Sequence, residues 1–153
     1  MKMLSIPEQY FVNALEKVLP LKVSKVEVTV GCSISEPFGE KFVAALEFQG
    51  YYEGILALSL KEDRIDDVAS FVLQSFPVDI PVEKEAIFAE IINIYAGSLI
   101  TEMQVKDRAI TIAPPGDASE CLPKSGEMQV IKILTENHFM FKFCIYEKGL
   151  SDD

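Results

Sequence analysis

The chain has 153 residues, of which 49% are hydrophobic and 25% are charged, and its formal net charge at pH 7 is -10. This length suits one domain with a full-sized core. The acidic balance argues against a protein that binds nucleic acid or an anionic membrane surface, because both kinds of partner need a basic face.

The first third of the chain predicts a helix followed by strands. Pro7 fits the first turn of a helix with Ser5 as its cap, and Pro20 ends the helical spacing of apolar residues. From Val23 the apolar residues alternate with polar ones, which indicates a strand, and residues 31–40 read as a loop. "KFVAALEF" and "YYEGILALSL" then predict a tight hairpin, with Gly50 supplying a positive φ in the turn.

The rest of the chain predicts two helices and three more strands. Residues 62–76 form a helix with an acidic first turn, and Pro77 and Pro81 bracket a break before a long helix over about 82–104. "AITIAPP" is a short strand that Pro114 and Pro115 end rigidly, and "GDASECLPKSG" is a surface loop. "EMQVIKILTE" and "HFMFKFCIYEK" make a second hairpin, and about 149–153 is a frayed acidic tail.

This order of elements predicts an α+β fold. Strands joined by short turns indicate an antiparallel sheet of six strands, and helices grouped in the middle of the chain indicate long helices packed together on one face of that sheet. No linker divides the chain, so residues 1–153 are expected to form a single domain.

The long helix has an unusual distribution of side chains. At about 100° per residue, a broad apolar face is expected in the core, formed by Phe88, Ile92, Tyr95, Ala96, Leu99 and Met103. On the opposite side lies a narrow stripe of small and polar residues, which we call the polar stripe: Ala86, Glu90, Asn93, Gly97 and Thr101. Small residues thus flank a carboxylate and a carboxamide and leave room for another surface.

Glu90 and Asn93 allow two interpretations. A polar stripe is often only the solvated side of a helix, where Glu90 would balance a nearby lysine for well under about 1 kcal/mol. Asn, however, is a poor residue for a helix interior. A carboxamide can orient a water molecule through its N–H and C=O groups, and a carboxylate can pair with a lysine of a partner. Together they suit attack by water on a phosphoryl group whose metal the partner supplies.

"AEIINIYAGSLITEMQ" followed by "AITIAPP" resembles the CheC/CheX-type chemotaxis phosphatases. Their hallmark is a Glu and an Asn three residues apart on a long helix, with a proline at a fixed distance beyond the next strand. Glu90 and Asn93 match the pair, and Pro114 and Pro115 follow Asn93 by 21 and 22 residues. The resemblance covers nearly the whole chain. A second pair is missing, because Tyr10 rather than Glu precedes Asn13 by three residues, so the chain is most similar to the single-site CheX type.

The resemblance implies a function, a site and a partner. Such proteins dephosphorylate a CheY-like response regulator receiver domain; their Glu pairs with a receiver lysine and their Asn positions the attacking water on the aspartyl phosphate. These roles would fall to Glu90 and Asn93. No cofactor of the chain's own is implied, because Mg²⁺ belongs to the receiver, and the CheX type implies a homodimer. The chain departs from the family at Ala86, where an Asp or Ser is common, so one polar docking contact that the resemblance implies is missing.

The remaining candidate residues favour no other chemistry. Cys32, Cys121 and Cys144 are far apart and form no CxxC pair, which indicates reduced thiols in a cytoplasmic protein. Cys144 is expected to be buried in a strand, Cys32 and Cys121 to lie in loops, and His138 to occupy a turn. One histidine with scattered cysteines does not favour a metal site, and neither a signal peptide nor a membrane-spanning segment is expected.

The sequence therefore supports two functions. The first is an enzyme that hydrolyses the aspartyl phosphate of a receiver domain in chemotaxis or a related two-component pathway. The alternative is a non-catalytic CheX-like interaction module that binds a signalling protein, with Ala86 as the mark of lost or altered function. A small-ligand-binding domain is a third hypothesis, but no convergent polar cluster in the sequence supports it.

Overall fold

The computed structural model describes residues 6–76, 83–103 and 109–150. The helices are α1 (Glu8–Val18), α2 (Ile65–Ser75), α3 (Lys84–Met103) and α4 (Ala118–Cys121), and a 3₁₀ turn over Glu62–Arg64 leads into α2. The strands are β1 (Val23–Ser33), β2 (Glu40–Gly50), β3 (Tyr52–Lys61), β4 (Ile110–Ile112), β5 (Glu127–Thr135) and β6 (Met140–Leu150).

The predicted sheet is confirmed. It has six strands in the order β1-β5-β6-β3-β2-β4, and every neighbouring pair is antiparallel. Both predicted hairpins form, β2 with β3 and β5 with β6. Gly50 has a φ of 99°, and a Cβ at this position would lie 2.5 Å from the carbonyl oxygen of Ala109, so the tight turn requires glycine. His138, in the other hairpin turn, has a φ of 67°, as its predicted place in a turn allows.

The predicted helical layer is also confirmed. Buried side chains of α1, α2 and α3 pack with one face of the sheet in the main core. The other face has its own smaller apolar cluster, which is centred on Ala45, Ile55, Ala57, Met128, Val130 and Cys144. Ala118 of α4 belongs to that second cluster. The fold is therefore α+β, with three helices on one face of the sheet and one short helix on the other.

Several predicted boundaries differ from the structure. The strand β1 continues through Gly31–Ser33, which were expected in the loop over 31–40, and α4 interrupts the predicted surface loop because the Asp117 side chain accepts a hydrogen bond from the Ser119 N–H and caps the turn. The strand β6 extends to Leu150, into the predicted tail, because Gly149 and Leu150 pair with β3. The expected cap at Ser5, the break at Pro77 and Pro81, and the helix ends at Val82 and Gln104 lie outside the described residues.

Candidate functional site

The helix α3 places the polar stripe outward, as predicted. Its buried side chains are Ile87, Phe88, Ile91, Ile92, Tyr95, Ala96 and Leu99, which include every predicted core residue except the half-buried Met103. Glu90, Asn93 and Thr101 are exposed, and Ala86 and Gly97 are half-buried. The apolar face of α3 thus packs in the core, and the Glu90 carboxylate and the Asn93 carboxamide face solvent on the side of the helix away from the sheet.

Contacts to α1 and to the sheet fix the rotation of α3 about its axis. The Tyr95 ring stacks on Phe143 of β6, with 3.9 Å between ring centroids and 5° between planes. The buried Tyr95 hydroxyl donates a hydrogen bond to the carbonyl oxygen of Phe11 in α1, at 3.1 Å. Because this side chain is held at both its ring and its hydroxyl, α3 cannot turn without breaking buried contacts, and the polar stripe keeps its outward direction.

A group of polar contacts also joins the C-terminal end of α3 to α1. Glu102 forms an ion pair with Lys17, and the Asn13 side-chain amide donates to Glu102 over 3.4 Å. The Lys17 hydrogen bond, supported by Asn13 and opposed by partial desolvation, lowers the pKa of the Glu102 carboxyl. Asn13 also accepts a hydrogen bond from Gln9 at 2.8 Å. The asparagine of α1 therefore has a structural role, which agrees with the absence of a second Glu–Asn pair.

Glu90 and Asn93 have unoccupied polar groups at the surface of the described structure. Neither side chain makes a hydrogen bond or an ion pair to any residue that the structure describes, and both are exposed. Residues three apart on a helix lie next to each other on one side. The pair therefore presents one acceptor-only group beside one group that both donates and accepts, and no described residue competes for either.

No large side chain of the polar stripe projects beside Glu90 and Asn93. A Cβ built on Gly97 would meet no atom within 4 Å, so the glycine borders open space and is not needed for packing within the chain. The Thr101 hydroxyl donates to the Gly97 carbonyl oxygen at 3.1 Å and so folds back on the helix instead of projecting outward. A partner surface could therefore approach Asn93 closely from this direction.

Pro114 and Pro115 end β4, as predicted, and connect two anchored points. Just before them, the Ala113 N–H donates to the carbonyl oxygen of Glu47 at 2.9 Å. Just after them, Gly116 and Ala45 exchange backbone hydrogen bonds of 2.8 and 3.2 Å. Pro114 and Pro115 lack backbone N–H groups and lie between these two paired positions. The chain therefore stays beside β2 there, but the ladder of backbone hydrogen bonds is interrupted and β4 ends.

The other candidate residues do not add a chemical site. Cys144 is buried as predicted, and desolvation raises the pKa of its thiol to about 12. Cys32 and Cys121 were expected in loops but lie in β1 and α4, where they border the second apolar cluster. Among residues 6–76, 83–103 and 109–150, no three His, Cys, Asp or Glu side chains come together as a metal site would require.

The helix α3 is also the one helix in the described part of the chain with enough length and apolar character to cross a membrane, at 20 residues. Length and composition alone do not distinguish a membrane span from a core helix. Here the helix packs against α1, α2 and β2, and its outward side carries Glu90 and Asn93. These contacts are typical of the central helix of a globular domain.

Comparison with known proteins gives structural likeness without sequence matches. No family model matches the chain, and no curated protein matches it. Among solved structures, the CheX–CheY–BeF3–Mg²⁺ complex from Borrelia burgdorferi matches with a TM-score of 0.59 and 19% identity over 95% of this chain and 100% of that chain. The chemotaxis protein CheX from Desulfovibrio desulfuricans matches with a TM-score of 0.55 and 13% identity over 92% of this chain and 95% of that chain.

A further match extends beyond the Che proteins. Thermotoga maritima FliY matches with a TM-score of 0.57 and 18% identity over 94% of this chain and 85% of that chain. At these identities the likeness concerns the backbone arrangement, which is shared across nearly the full length of the chain. The protein has the CheC/CheX-type fold that the motif on its long helix predicted.

Proposed function

We propose that this protein is a phosphatase that hydrolyses the aspartyl phosphate of a CheY-like response regulator receiver domain. One observation carries the proposal: Glu90 and Asn93 lie side by side on α3, exposed and without partners among the described residues. The CheC/CheX-type fold supports it, and so does the CheX–CheY complex among the structural neighbours. The chain thus presents the two side chains that the family resemblance assigns to docking and to water positioning.

In this mechanism, Asn93 orients the attacking water. Its carbonyl oxygen accepts a hydrogen bond from the water and its amide donates one, which holds the water oxygen in line with the phosphorus. The new P–O bond forms as the bond between phosphorus and the aspartyl oxygen breaks. The receiver's carboxylate is released, and the proton lost by the water leaves with inorganic phosphate. The contribution of Asn93 is positioning, since a carboxamide does not act as an acid or a base at neutral pH.

Glu90 fixes the docking. Its carboxylate pairs with the receiver lysine that lies beside the phosphoaspartate, which places Asn93 over the phosphoryl group. The Mg²⁺ that neutralises the phosphoryl oxygens is held by the receiver, so this chain contributes no metal ligand in the mechanism. This division of roles explains why two side chains suffice. The receiver supplies the Mg²⁺ and the lysine that stabilise the negative charge, and this protein orients the attacking water.

The test is the decay rate of phosphorylated receivers in Mg²⁺. Wild-type protein should accelerate decay. Asn93→Ala should still bind the receiver, but the rate constant of dephosphorylation in the complex should fall by about 100-fold or more, because only the orientation of the water is lost. Glu90→Ala should weaken binding. Gln74→Ala, which removes an exposed carboxamide from α2, is the matched control and should behave as wild type. The proposal fails if the wild-type protein at high concentration leaves the decay of every receiver in a panel unchanged.

Ala86 supports one alternative. The family commonly has a polar residue here, and a half-buried alanine cannot make its contact. A non-catalytic CheX-like module that binds a receiver or another signalling protein would show phosphorylation-dependent binding without turnover. The retained Glu90 and Asn93 favour the enzyme, and the decay assay separates the two functions.

The proposed setting is the cytoplasm, in chemotaxis or a related two-component pathway, since a receiver domain is a cytoplasmic partner. The resemblance to the CheX type also makes a homodimer part of the proposal. Light scattering on the purified protein measures this directly, with a mass of about twice the 17.1 kDa chain as the expected result.

A further inference from the structure

A groove runs beside the polar stripe along the first turns of α3. It has a volume of about 690 Å³. One wall is α3 itself, including Ala86 and Ala89, and the other wall is formed by residues 41–44 of β2 and residues 116–118. The helix side of the groove spans residues 83–89. It includes Ala86, which lies one helical turn before Glu90, so the groove continues the surface that carries the candidate site.

The fold leaves this groove open for two reasons. The strand β4 pairs only with Phe48–Gly50 of β2, and Gly116 pairs with Ala45, so residues 41–44 have no strand neighbour on that side within the described chain. The Phe42 N–H instead donates to the Glu36 carboxylate at 2.8 Å. On the helix side, Ala86 and Ala89 are too short to reach across. An unpaired strand end and two small residues thus leave a gap that no residue described in the structure fills.

The groove has an apolar floor. Phe88, Ala44 and Ala118 are almost fully buried at its base. The apolar area that a partner would cover belongs to half-buried lining residues, which are Phe42, Val43, Ile65, Ala86 and Ala89. Such a surface favours an apolar side chain over water, because filling it removes apolar area from solvent on both sides.

The rim of the groove is acidic. Of its two lysines, Lys84 donates to Asp66 at 2.7 Å and Lys41 lies close enough to Asp117 to help lower its pKa, after the larger effect of the Ser119 N–H. Glu83 and Glu85 are exposed and form no ion pair within the part of the chain that the structure describes. With Glu90 one turn further on, they give the approach to the groove a negative potential, which favours a basic partner segment.

We propose that this groove is the second half of the receiver docking surface, and that it takes an apolar side chain of the receiver flanked by a basic residue. The inference rests on the proposed function, since the receiver is the partner in both. Ala86 and Ala89 then determine specificity, because their short side chains leave the space in which an apolar side chain of the receiver is buried.

Filling the groove tests the proposal. Ala86→Leu and Ala89→Leu place a larger side chain in the space that the receiver would occupy. The matched control is Ser70→Leu, which adds the same side chain at an exposed position of α2 outside the groove. The readouts are the Kd for CheY-like receiver domains of the same organism, activated with beryllofluoride and Mg²⁺, and the decay rate of the phosphorylated receiver at saturating protein.

We expect the groove variants to raise Kd by about tenfold or more and the control to stay within about twofold. The decay rate at saturation should stay within about twofold of wild type, because Glu90 and Asn93 are untouched. A Kd that is equal in groove and control variants overturns the proposal. Binding without turnover by wild type would refute the phosphatase, while a raised Kd in the groove variants would still support the groove. Failure of wild type to bind any activated receiver would overturn both.

A second measurement needs no variant and is therefore independent of folding defects. Amide hydrogen exchange of the wild-type protein, with and without the activated receiver, should show protection on both walls, in residues 40–46 and 83–89. Protection confined to residues 90–101 would overturn the proposal. Protection of both walls that grows with protein concentration without receiver would assign the groove to a second copy of this chain, and would overturn it as well.

Discussion

Gly97→Ala should make the protein more stable and, if the proposed function holds, should reduce its phosphatase activity. Gly97 lies in the interior of the 20-residue α3, where glycine costs about 1 kcal/mol relative to alanine. The new Cβ would meet no atom within 4 Å, so no steric cost offsets that gain. For a chain of this size, about 1 kcal/mol raises Tm by about 2–4 °C. Thermal and urea unfolding followed by circular dichroism measures the change.

The same substitution should slow receiver dephosphorylation. Gly97 lies one turn beyond Asn93 on the polar stripe, so a methyl group there stands between the helix and the docked receiver. A displacement of the attacking water by even a fraction of an ångström is costly, and we expect a loss of about tenfold or more in kcat/KM. Ser98→Ala is the control, because it improves helix propensity on the side of α3 away from the stripe and should leave activity unchanged.

Two results would refute this reasoning. A Gly97→Ala protein that is less stable than wild type would show that the glycine is in tight contact, and that the stripe is not open. Full phosphatase activity in the more stable variant would show that the receiver does not approach this part of α3. A stability gain with an activity loss is the outcome expected where a surface is kept suboptimal for the fold because a partner uses it.

Two further predictions concern the attachment of α3 to α1. Tyr95→Phe should cost about 0.5–1.5 kcal/mol, because it removes the buried hydrogen bond to Phe11 and keeps the ring, and an unchanged Tm would show that this bond adds nothing. Glu102→Gln should make the free energy of unfolding less sensitive to acid. The Lys17 hydrogen bond lowers the pKa of the Glu102 carboxyl below its ordinary value of 4.5. The stability that this carboxylate contributes is therefore fully present above the ordinary value and is lost as pH falls through the lowered pKa. The free energy of unfolding of wild type and variant, measured from pH 6 to 3, should therefore converge toward acid, and a difference that stays constant with pH would contradict the assignment.

Much of this fold could be predicted from the sequence because its signals are local. The strand alternation, the turn at Gly50 and the helical period each depend on a few neighbouring residues. The same holds for the place of Glu90 and Asn93 opposite the predicted core residues of α3, since helical spacing alone sets which side chains share a face. The element order then left an antiparallel sheet with helices on one face as the simplest arrangement.

The features that were missed depend on residues far apart in the chain. The polar contacts between Asn13, Lys17 and Glu102 join α1 to the end of α3. The two members of the ion pair are 85 positions apart in the chain, and no spacing rule indicates such a contact. The short helix at 118–121 exists because Asp117 caps it and the second apolar cluster covers it. The groove depends on where β4 stops along β2, which is a matter of sheet register.

The sequence by itself determined that Glu90 and Asn93 lie together on the side of α3 opposite its predicted core residues, because helical spacing is a property of consecutive residues. That this side is exposed was decided by the tertiary structure. Only the tertiary structure decided what surrounds Glu90 and Asn93. An unpaired end of β2 and two small residues of α3 open a cavity beside Ala86, while the buried Tyr95 holds the helix in register. Docking surfaces form between elements brought together by long-range packing, and no stretch of sequence encodes such a gap alone.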